Sequence, residues 1–196
     1  MKKPSFYLRR FVVLLLLFNI ISCATNSKSP DDKLSDQQTL EKSSDKEQIL
    51  TASTVEEAVT KARQALQNGS SDLALIYYIN AFSMEPTNTA VLKEMAALYK
   101  KRREHDLVAA CYRLIIEQEP NNIAIQQRYG LLLIELKQLP EARLSLEKVV
   151  EADARNWESY NGLGVIADLQ NQHKNAQEYF KKAISFHHKL NPKHAE

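Results

Sequence analysis

Residues 156–183 read NWESYNGLGVIADLQNQHKNAQEYFKKA, two apolar helical segments separated by a polar turn. Small residues, Gly164 in the first segment and Ala176 and Ala183 in the second, alternate with the large Phe180. Small side chains let two helices approach closely, and a large side chain fills the space beside them. The stretch therefore predicts a pair of closely packed helices.

The same pattern recurs upstream at an interval of 34 residues. A fixed interval of this length is typical of helical repeats, in which each unit covers the apolar face of its neighbour. A proline can end the second helix, and an asparagine two residues later can cap the next one. The repeated positions are Ala62, Ala96, Gly130 and Gly164; Ala74, Val108, Ala142 and Ala176; Tyr78, Tyr112, Leu146 and Phe180; Ala81, Ile115, Val149 and Ala183; Asn88, Asn122 and Asn156; and Pro86 and Pro120.

These columns resemble those of the tetratricopeptide (TPR) repeat family. The resemblance implies an all-α fold, a TPR α-solenoid of about four helical hairpins over residues 53–190. Ala154 and His188 stand where the last two units would carry the closing proline, so the ends of those helices are the least defined. The predicted units are 55–88, 89–122, 123–156 and 157–190, and the predicted helices are 54–67, 71–84, 89–101, 105–118, 123–136, 140–152, 157–170 and 173–187.

The start of the chain has the features of an export signal. Lysines and arginines precede an apolar run at 11–21 that is too short to span a bilayer comfortably, and the run ends in Ile20-Ile21-Ser22-Cys23. This ending resembles the bacterial lipobox. The resemblance implies that residues 1–22 are a lipoprotein signal peptide and that Cys23 is the lipid-attachment residue. A secretory signal with an incidental cysteine and an uncleaved anchor are the alternatives.

Residues 23–52 are polar and show no sustained apolar period, which predicts a flexible tether between the lipidated Cys23 and the repeats. Ala24, rather than Asp, follows the cysteine. In the enterobacterial sorting scheme this implies delivery to the periplasmic face of the outer membrane. Residues 191–196 are interpreted as a short tail.

Composition and motifs indicate a binding protein and not an enzyme. The formal net charge of +2 is too small to indicate a nucleic-acid surface. No phosphate-binding loop, catalytic triad signature or metal-ligand spacing occurs, so we expect no cofactor and no metal site. Cys111 lies within a helical segment and is expected to be a buried small residue. His105 and His173 share one repeat position and are interpreted as solvated turn residues.

The first helices of such repeats line one face, which is where TPR proteins bind partners. Projecting the interval onto that face gives a mixed surface with an apolar centre, suited to an extended segment or a helix from another protein. The carboxylate clamp of some chaperone-binding TPR domains is mostly missing here. The candidate partner-binding residues are Arg63, Lys93, Arg128, Leu131 and Val165.

One part of the last unit is more specific than the general repeat pattern. Trp157, the run 161–164 (NGLG), Asp168-Leu169 and the following His173 resemble the TadD family, the lipoproteins of the tight-adherence (Flp) pilus assembly system. That resemblance implies a role in assembling an outer-membrane secretin and pilus apparatus. The chain lacks the further NNLG-type helix that the family usually carries.

Three functions in the bacterial envelope remain open from the sequence. The first is a scaffold for assembly of a Flp pilus or secretion apparatus. The second is a pilotin-like lipoprotein of a type IV pilus, which aids secretin assembly. The third is an adaptor that regulates cell-wall enzymes through the same face. In each case the partners are proteins, and the membrane is reached through acyl chains on Cys23.

Overall fold

The computed structural model describes residues 52–190, and side chains as far as His187. The predicted signal peptide, Cys23, the tether up to residue 51 and the tail 191–196 lie outside the described residues. Within 52–190 there are eight helices and no strand. They are α1 (Val55–Gln67), α2 (Ser71–Met84), α3 (Thr89–Lys101), α4 (His105–Gln118), α5 (Ile123–Glu135), α6 (Leu139–Ala152), α7 (Trp157–Leu169) and α8 (His173–Leu190).

The predicted all-α fold of TPR-like hairpins is confirmed, and seven of the eight helices in the described residues begin and end within one residue of the predicted positions. The clearest difference is α8, which was expected to end at residue 187 and continues to Leu190. His188 occupies the position of the closing proline, and histidine keeps the backbone N–H that a helix requires. The helices α2 and α4 end two residues before Pro86 and Pro120, and α6 ends equally early before Ala154, so a proline is not required for that end.

The chain divides into two compact units between Leu98 and Tyr99, and each is described by itself. In the first unit, α1 packs against α2 through alanines with no exposed surface, among them Ala58, Ala62 and Ala74. The start of α1 is fixed by the Thr54 hydroxyl, which accepts a hydrogen bond from the backbone N–H of Glu57 at 3.1 Å. Reciprocally, the Glu57 carboxylate accepts from the backbone N–H of Ser53 at 2.8 Å. This is a capping box displaced by one residue, and it sets the first turn of the unit.

In the second unit, α4 packs on α5, α5 on α6, α6 on α7 and α7 on α8, and α5 also contacts α7 directly. Leu146 of α6 is fully buried between glycines of two helices. A β-carbon placed on Gly130 of α5 would lie 2.8 Å from Leu146 Cδ2, and one on Gly162 of α7 would lie 2.7 Å from Leu146 Cδ1. The missing side chains therefore make the space that Leu146 fills.

Two hairpins of this unit carry different side-chain pairs at the same two repeat positions. Between α5 and α6, the Ser145 hydroxyl donates to the buried Gln126 side-chain carbonyl at 2.9 Å. One interval later, between α7 and α8, the equivalent residues are Tyr160 and Tyr179, whose ring centroids are 6.4 Å apart. The polar pair is satisfied by its own hydrogen bond, and the aromatic pair by ring packing.

Every turn within a hairpin passes through the left-handed backbone region at the same repeat position. The residues there are Gly69, Arg103, Lys137 and Asn171, with φ of 76°, 58°, 61° and 59°. In each turn the next residue's N–H returns to a carbonyl five positions earlier, as in a Schellman motif. The four bonds are Ser70 to Ala65 at 2.8 Å, Glu104 to Tyr99 at 3.0 Å, Gln138 to Leu133 at 2.9 Å and Gln172 to Ala167 at 2.9 Å.

The repeated asparagines cap first helices, as the sequence predicts. The side-chain oxygens of Asn88, Asn122 and Asn156 accept the N–H of the third residue that follows, at 3.2, 3.1 and 3.0 Å. Each bond satisfies an amide that has no partner within its helix. Because the caps share one repeat position, the first helices α3, α5 and α7 begin at equivalent residues.

We expect Lys137→Gly to raise the free energy of unfolding by about 0.5 kcal/mol. A side chain in the left-handed region costs about 1–2 kcal/mol, which glycine avoids, but the greater flexibility of glycine in the unfolded chain offsets part of that stabilisation. Gly69→Ala should lower the free energy of unfolding by about 1 kcal/mol. A β-carbon on Gly69 meets nothing within 4 Å, so that cost comes from the backbone alone. The midpoint and slope of urea unfolding measure both effects. Lys137→Ala is the control, because it removes the charge and keeps the β-carbon; stabilisation by this variant equal to that of Lys137→Gly would contradict the backbone explanation.

Three buried titratable groups of the second unit make it sensitive to alkaline pH. Cys111 is 2% exposed, as the sequence predicts, and burial raises the pKa of its thiol to about 12. Burial and a hydrogen bond donated to Glu141 raise the pKa of Tyr129 to about 12. The pKa of Tyr99 is also raised by burial. In the folded chain all three groups keep their protons above the pH at which unfolded groups lose them.

The folded pKa values are the higher ones, so this contribution to stability is complete below about pH 8.5 and is lost as the pH rises towards 12. For Cys111 alone we expect the free energy of unfolding to fall by about 1.5 kcal/mol between pH 8 and pH 10. Urea unfolding at the two pH values measures the fall. Cys111→Ala should be less stable at both values but should lose less between them; an unchanged loss would contradict the assignment to the thiol.

Candidate protein-binding face

The structure places the five candidate residues in two groups. Arg63 on α1 and Lys93 on α3 are exposed and belong to the first unit. In the second unit, Arg128 on α5 is exposed, and Leu131 on α5 and Val165 on α7 are half-buried. Because α5 and α7 contact each other, the structure brings Arg128, Leu131 and Val165 onto one surface. With Asn161, they define what we call the α5–α7 face.

A glycine determines how closely the two helices of this face approach. A β-carbon on Gly162 would lie 3.0 Å from Leu131 Cδ2 and 3.4 Å from Ile134 Cδ1. The absence of a side chain thus lets Leu131 lie against the α7 backbone, one helical turn before Val165. Leu131 and Val165 therefore form a continuous apolar centre across the two helices.

Hydrogen bonds tie the first turn of α7 to α5. The Asn156 side-chain amide donates to the Gln127 side-chain carbonyl at 3.1 Å, and the Gln127 amide donates to the Glu158 carboxylate. The repeat spacing does not predict this link. The sequence feature that accompanies the link is Asp153, which stands at the repeat position that Glu85 and Glu119 occupy in the two earlier units.

In the two earlier turns the cap asparagines donate to those glutamates, Asn88 to Glu85 at 2.9 Å and Asn122 to Glu119 at 2.6 Å. Asp153 is one methylene shorter and accepts the N–H of Arg155 at 3.0 Å instead. The Asn156 amide is therefore available to reach across to α5.

Carboxylates lie at the opposite ends of the same two helices. Glu135, 65% exposed, is near His105 with Oε2 3.2 Å from Nδ1, and Asp168, 60% exposed, is near His173 with Oδ1 2.9 Å from Nδ1. The prediction that these histidines are solvated turn residues is correct for the exposure of His173; His105 is half-buried, and each histidine is the first residue of a helix. It missed the acidic neighbours, one of which comes from the following hairpin. The α5–α7 face is thus apolar in the middle and acidic at one end.

In the first unit, Arg63 lies close to a buried tyrosine. Burial raises the pKa of Tyr78, the negative charge of Glu94 raises it further, and the guanidinium of Arg63 lowers it. Arg63 therefore acts on the Tyr78 hydroxyl within its own unit. Its charge is nonetheless exposed to solvent.

The described part of the chain lacks two further features. Residues 52–190 contain no helix both long and apolar enough to cross a membrane. The same residues contain no group of three or more histidine, cysteine, aspartate or glutamate side chains placed to hold a metal ion.

Comparison with known proteins supports the repeat assignment. Residues 158–186 match the tetratricopeptide repeat model. Among curated proteins, the chain is 27% identical over 125 residues to RNA polymerase II-associated protein 3 from Xenopus tropicalis, a match that covers 63% of this chain and 19% of that protein. The chain therefore spans about a fifth of the length of this relative.

Solved structures of MamA proteins are similar to this chain in fold. MamA AMB-1 has a TM-score of 0.62 at 20% identity, over 76% of this chain and 80% of that one. MamA 41-end from Desulfovibrio magneticus RS-1 has a TM-score of 0.58 at 22% identity, over 69% and 76%. The helical hairpins, their common interval, the repeat match and these structures agree, and the described part of the chain has the fold of a TPR protein.

Proposed function

We propose that this chain is an outer-membrane lipoprotein whose TPR hairpins bind other proteins during assembly of a Flp (tight-adherence) pilus or a related secretion apparatus. The observation that carries the protein-binding part is the α5–α7 face. An apolar centre with polar groups at both ends, presented on packed helices, is the kind of surface that takes an extended segment or a helix.

The lipid anchor is proposed from the sequence around Cys23. Its lipobox-like ending and the polar segment that follows are what acylation and a tether require. Each buried methylene of an acyl chain contributes about 0.8 kcal/mol, so two or more chains hold a protein at a membrane far longer than one does.

The pilus role is proposed from where the TadD resemblance falls on the structure. Leu163 and Gly164 are buried and serve the hairpin itself, so any TPR unit could share them. Asn161 and Asp168 are exposed on α7, beside the apolar centre. Shared exposed residues favour a shared partner over shared packing.

The test uses the full chain in a strain that lacks its own copy and carries a Flp pilus gene cluster. We expect Leu131→Ser combined with Val165→Ser to reduce crosslinking to the pilus secretin at least fivefold and to reduce surface pili in parallel. Leu144→Ser is the matched control, because Leu144 is 62% exposed on α6, away from the α5–α7 face. Equal abundance and equal helical content of the variants exclude a folding defect.

Three further results would separate the alternatives. Cys23→Ser should abolish labelling by an alkyne fatty acid and move the protein out of the membrane fraction, and retained labelling would overturn the anchor. The pilotin-like role would be favoured if the gene for this chain has no Flp pilin gene beside it in its own genome and if its deletion there stops the secretin from multimerising. Normal pili with altered cell-wall crosslinking would favour regulation of cell-wall enzymes.

A further inference from the structure

The acidic end of the α5–α7 face lies about one helical turn beyond its apolar centre. On α5, Glu135 follows Leu131 by four residues, and on α7, Asp168 follows Val165 by three. Residues at these spacings share one side of a helix, and each such step advances about 5–6 Å along it. The apolar and the acidic groups therefore lie on one surface in a fixed order.

No lysine or arginine of the described residues neutralises the two carboxylates of this end. Glu135 is 65% exposed and Asp168 is 60% exposed, and each contacts one histidine through a single oxygen. An uncharged imidazole supplies a hydrogen bond and leaves the negative charge in place. Lys137 and Lys174 follow the two carboxylates closely in the chain, but neither lysine forms an ion pair with them. The acidic end therefore presents two exposed negative charges when its histidines are uncharged.

The other end of the face carries charges of both signs. Arg128 is exposed three residues before Leu131, and Glu158 is exposed in the first turn of α7. The Glu158 carboxylate accepts a hydrogen bond from the Gln127 side-chain amide, which is a neutral group, so this carboxylate keeps its charge. A bound group of either sign would be both attracted and repelled at that end. Only the acidic end therefore selects the sign of the charge that it binds.

We propose that the α5–α7 face binds a partner segment that carries a large apolar side chain and, about 6 Å further along, an arginine or lysine. The apolar side chain packs on Leu131 and Val165, and the cation lies beside Glu135 and Asp168, whose carboxylates accept its hydrogen bonds. A cation on the other side of the apolar residue gains nothing, because that end of the face has no single sign. This inference rests on the proposed protein-binding role of the face and adds the chemistry of the bound segment.

The test begins with a selection that assumes no partner. A random dodecapeptide phage library is selected on the full chain, purified in mild detergent. We expect the enriched peptides to share an apolar residue with an arginine or lysine on one side of it and no preferred charge on the other side. The most enriched peptide is then synthesised with a fluorescent label, and its dissociation constant is measured by fluorescence anisotropy.

Variants of the full chain then assign the peptide to the face. Glu135→Gln combined with Asp168→Asn should weaken binding at least fivefold, because the cation loses its charged acceptors. Glu117→Gln combined with Glu151→Gln is the matched control and should leave binding unchanged, because these exposed carboxylates lie on the second helices α4 and α6. Added salt should weaken binding to the unsubstituted chain more than binding to the Gln and Asn variant, because salt screens the attraction between charges.

Reversal of the charge separates recognition from a structural defect. A selection on the chain with Glu135→Lys and Asp168→Lys should enrich an aspartate or glutamate where the first selection enriched a cation. Damage to the fold would lower binding without reversing the preferred sign.

Four results would overturn the proposal. They are a selection that enriches no peptide, enriched peptides that lack the cation, equal weakening by the test and control pairs, and an unchanged sign preference in the charge-reversed chain. If Leu131→Ser with Val165→Ser still abolishes peptide binding in any of these cases, the face remains a protein-binding surface. Loss of secretin crosslinking in the strain described above tests the proposed function separately.

Discussion

The hairpins of this protein depend on one backbone requirement, a residue in the left-handed region at each turn between a first and a second helix. Once the chain has passed Gly69 or Lys137 in that conformation, the next N–H closes on a carbonyl of the first helix, and the start of the second helix is fixed. That start determines which residues of the second helix face the first. In the α5–α6 hairpin it brings Leu146 against Gly130, and the same leucine then receives Gly162 of α7. These contacts hold α7 beside α5 and so form the α5–α7 face.

The interval of 34 residues was sufficient to predict the helices and their caps, because small, large and capping residues each recur at fixed places. It was not sufficient to predict the strain at Arg103 and Lys137. Gly69 and Asn171 are residue types that favour the left-handed region, and their positions, one interval before Arg103 and one interval after Lys137, are the signal that could have identified the other two. The predicted end of α8 was three residues too early; α6 carries Ala154 at the same repeat position and ends at Ala152, so the missing proline does not by itself account for the longer helix.

The candidate site was predictable in part for a similar reason. Repeat spacing identifies which residues share a face, and Arg128, Leu131 and Val165 lie on the contacting helices α5 and α7, where their role in binding stays a prediction. It does not identify side chains that bond to one another across helices. The Gln127 side chain holds α7 to α5, and this contact depends on the short side chain at Asp153, which leaves the Asn156 amide available. The approach of His105 to Glu135 likewise joins residues of different hairpins.

Repeats that share one backbone fold carry a risk during folding, since a helix can pair with the wrong copy of its partner. The pairs Gln126–Ser145 and Tyr160–Tyr179 act against that error in the second unit. If α5 took α8 as its hairpin partner, Gln126 would face Tyr179, and if α7 took α6 as its hairpin partner, Tyr160 would face Ser145. Unlike chemistry at one equivalent position thus distinguishes neighbouring hairpins whose backbones are otherwise interchangeable, and the order of the repeats is encoded in their interiors.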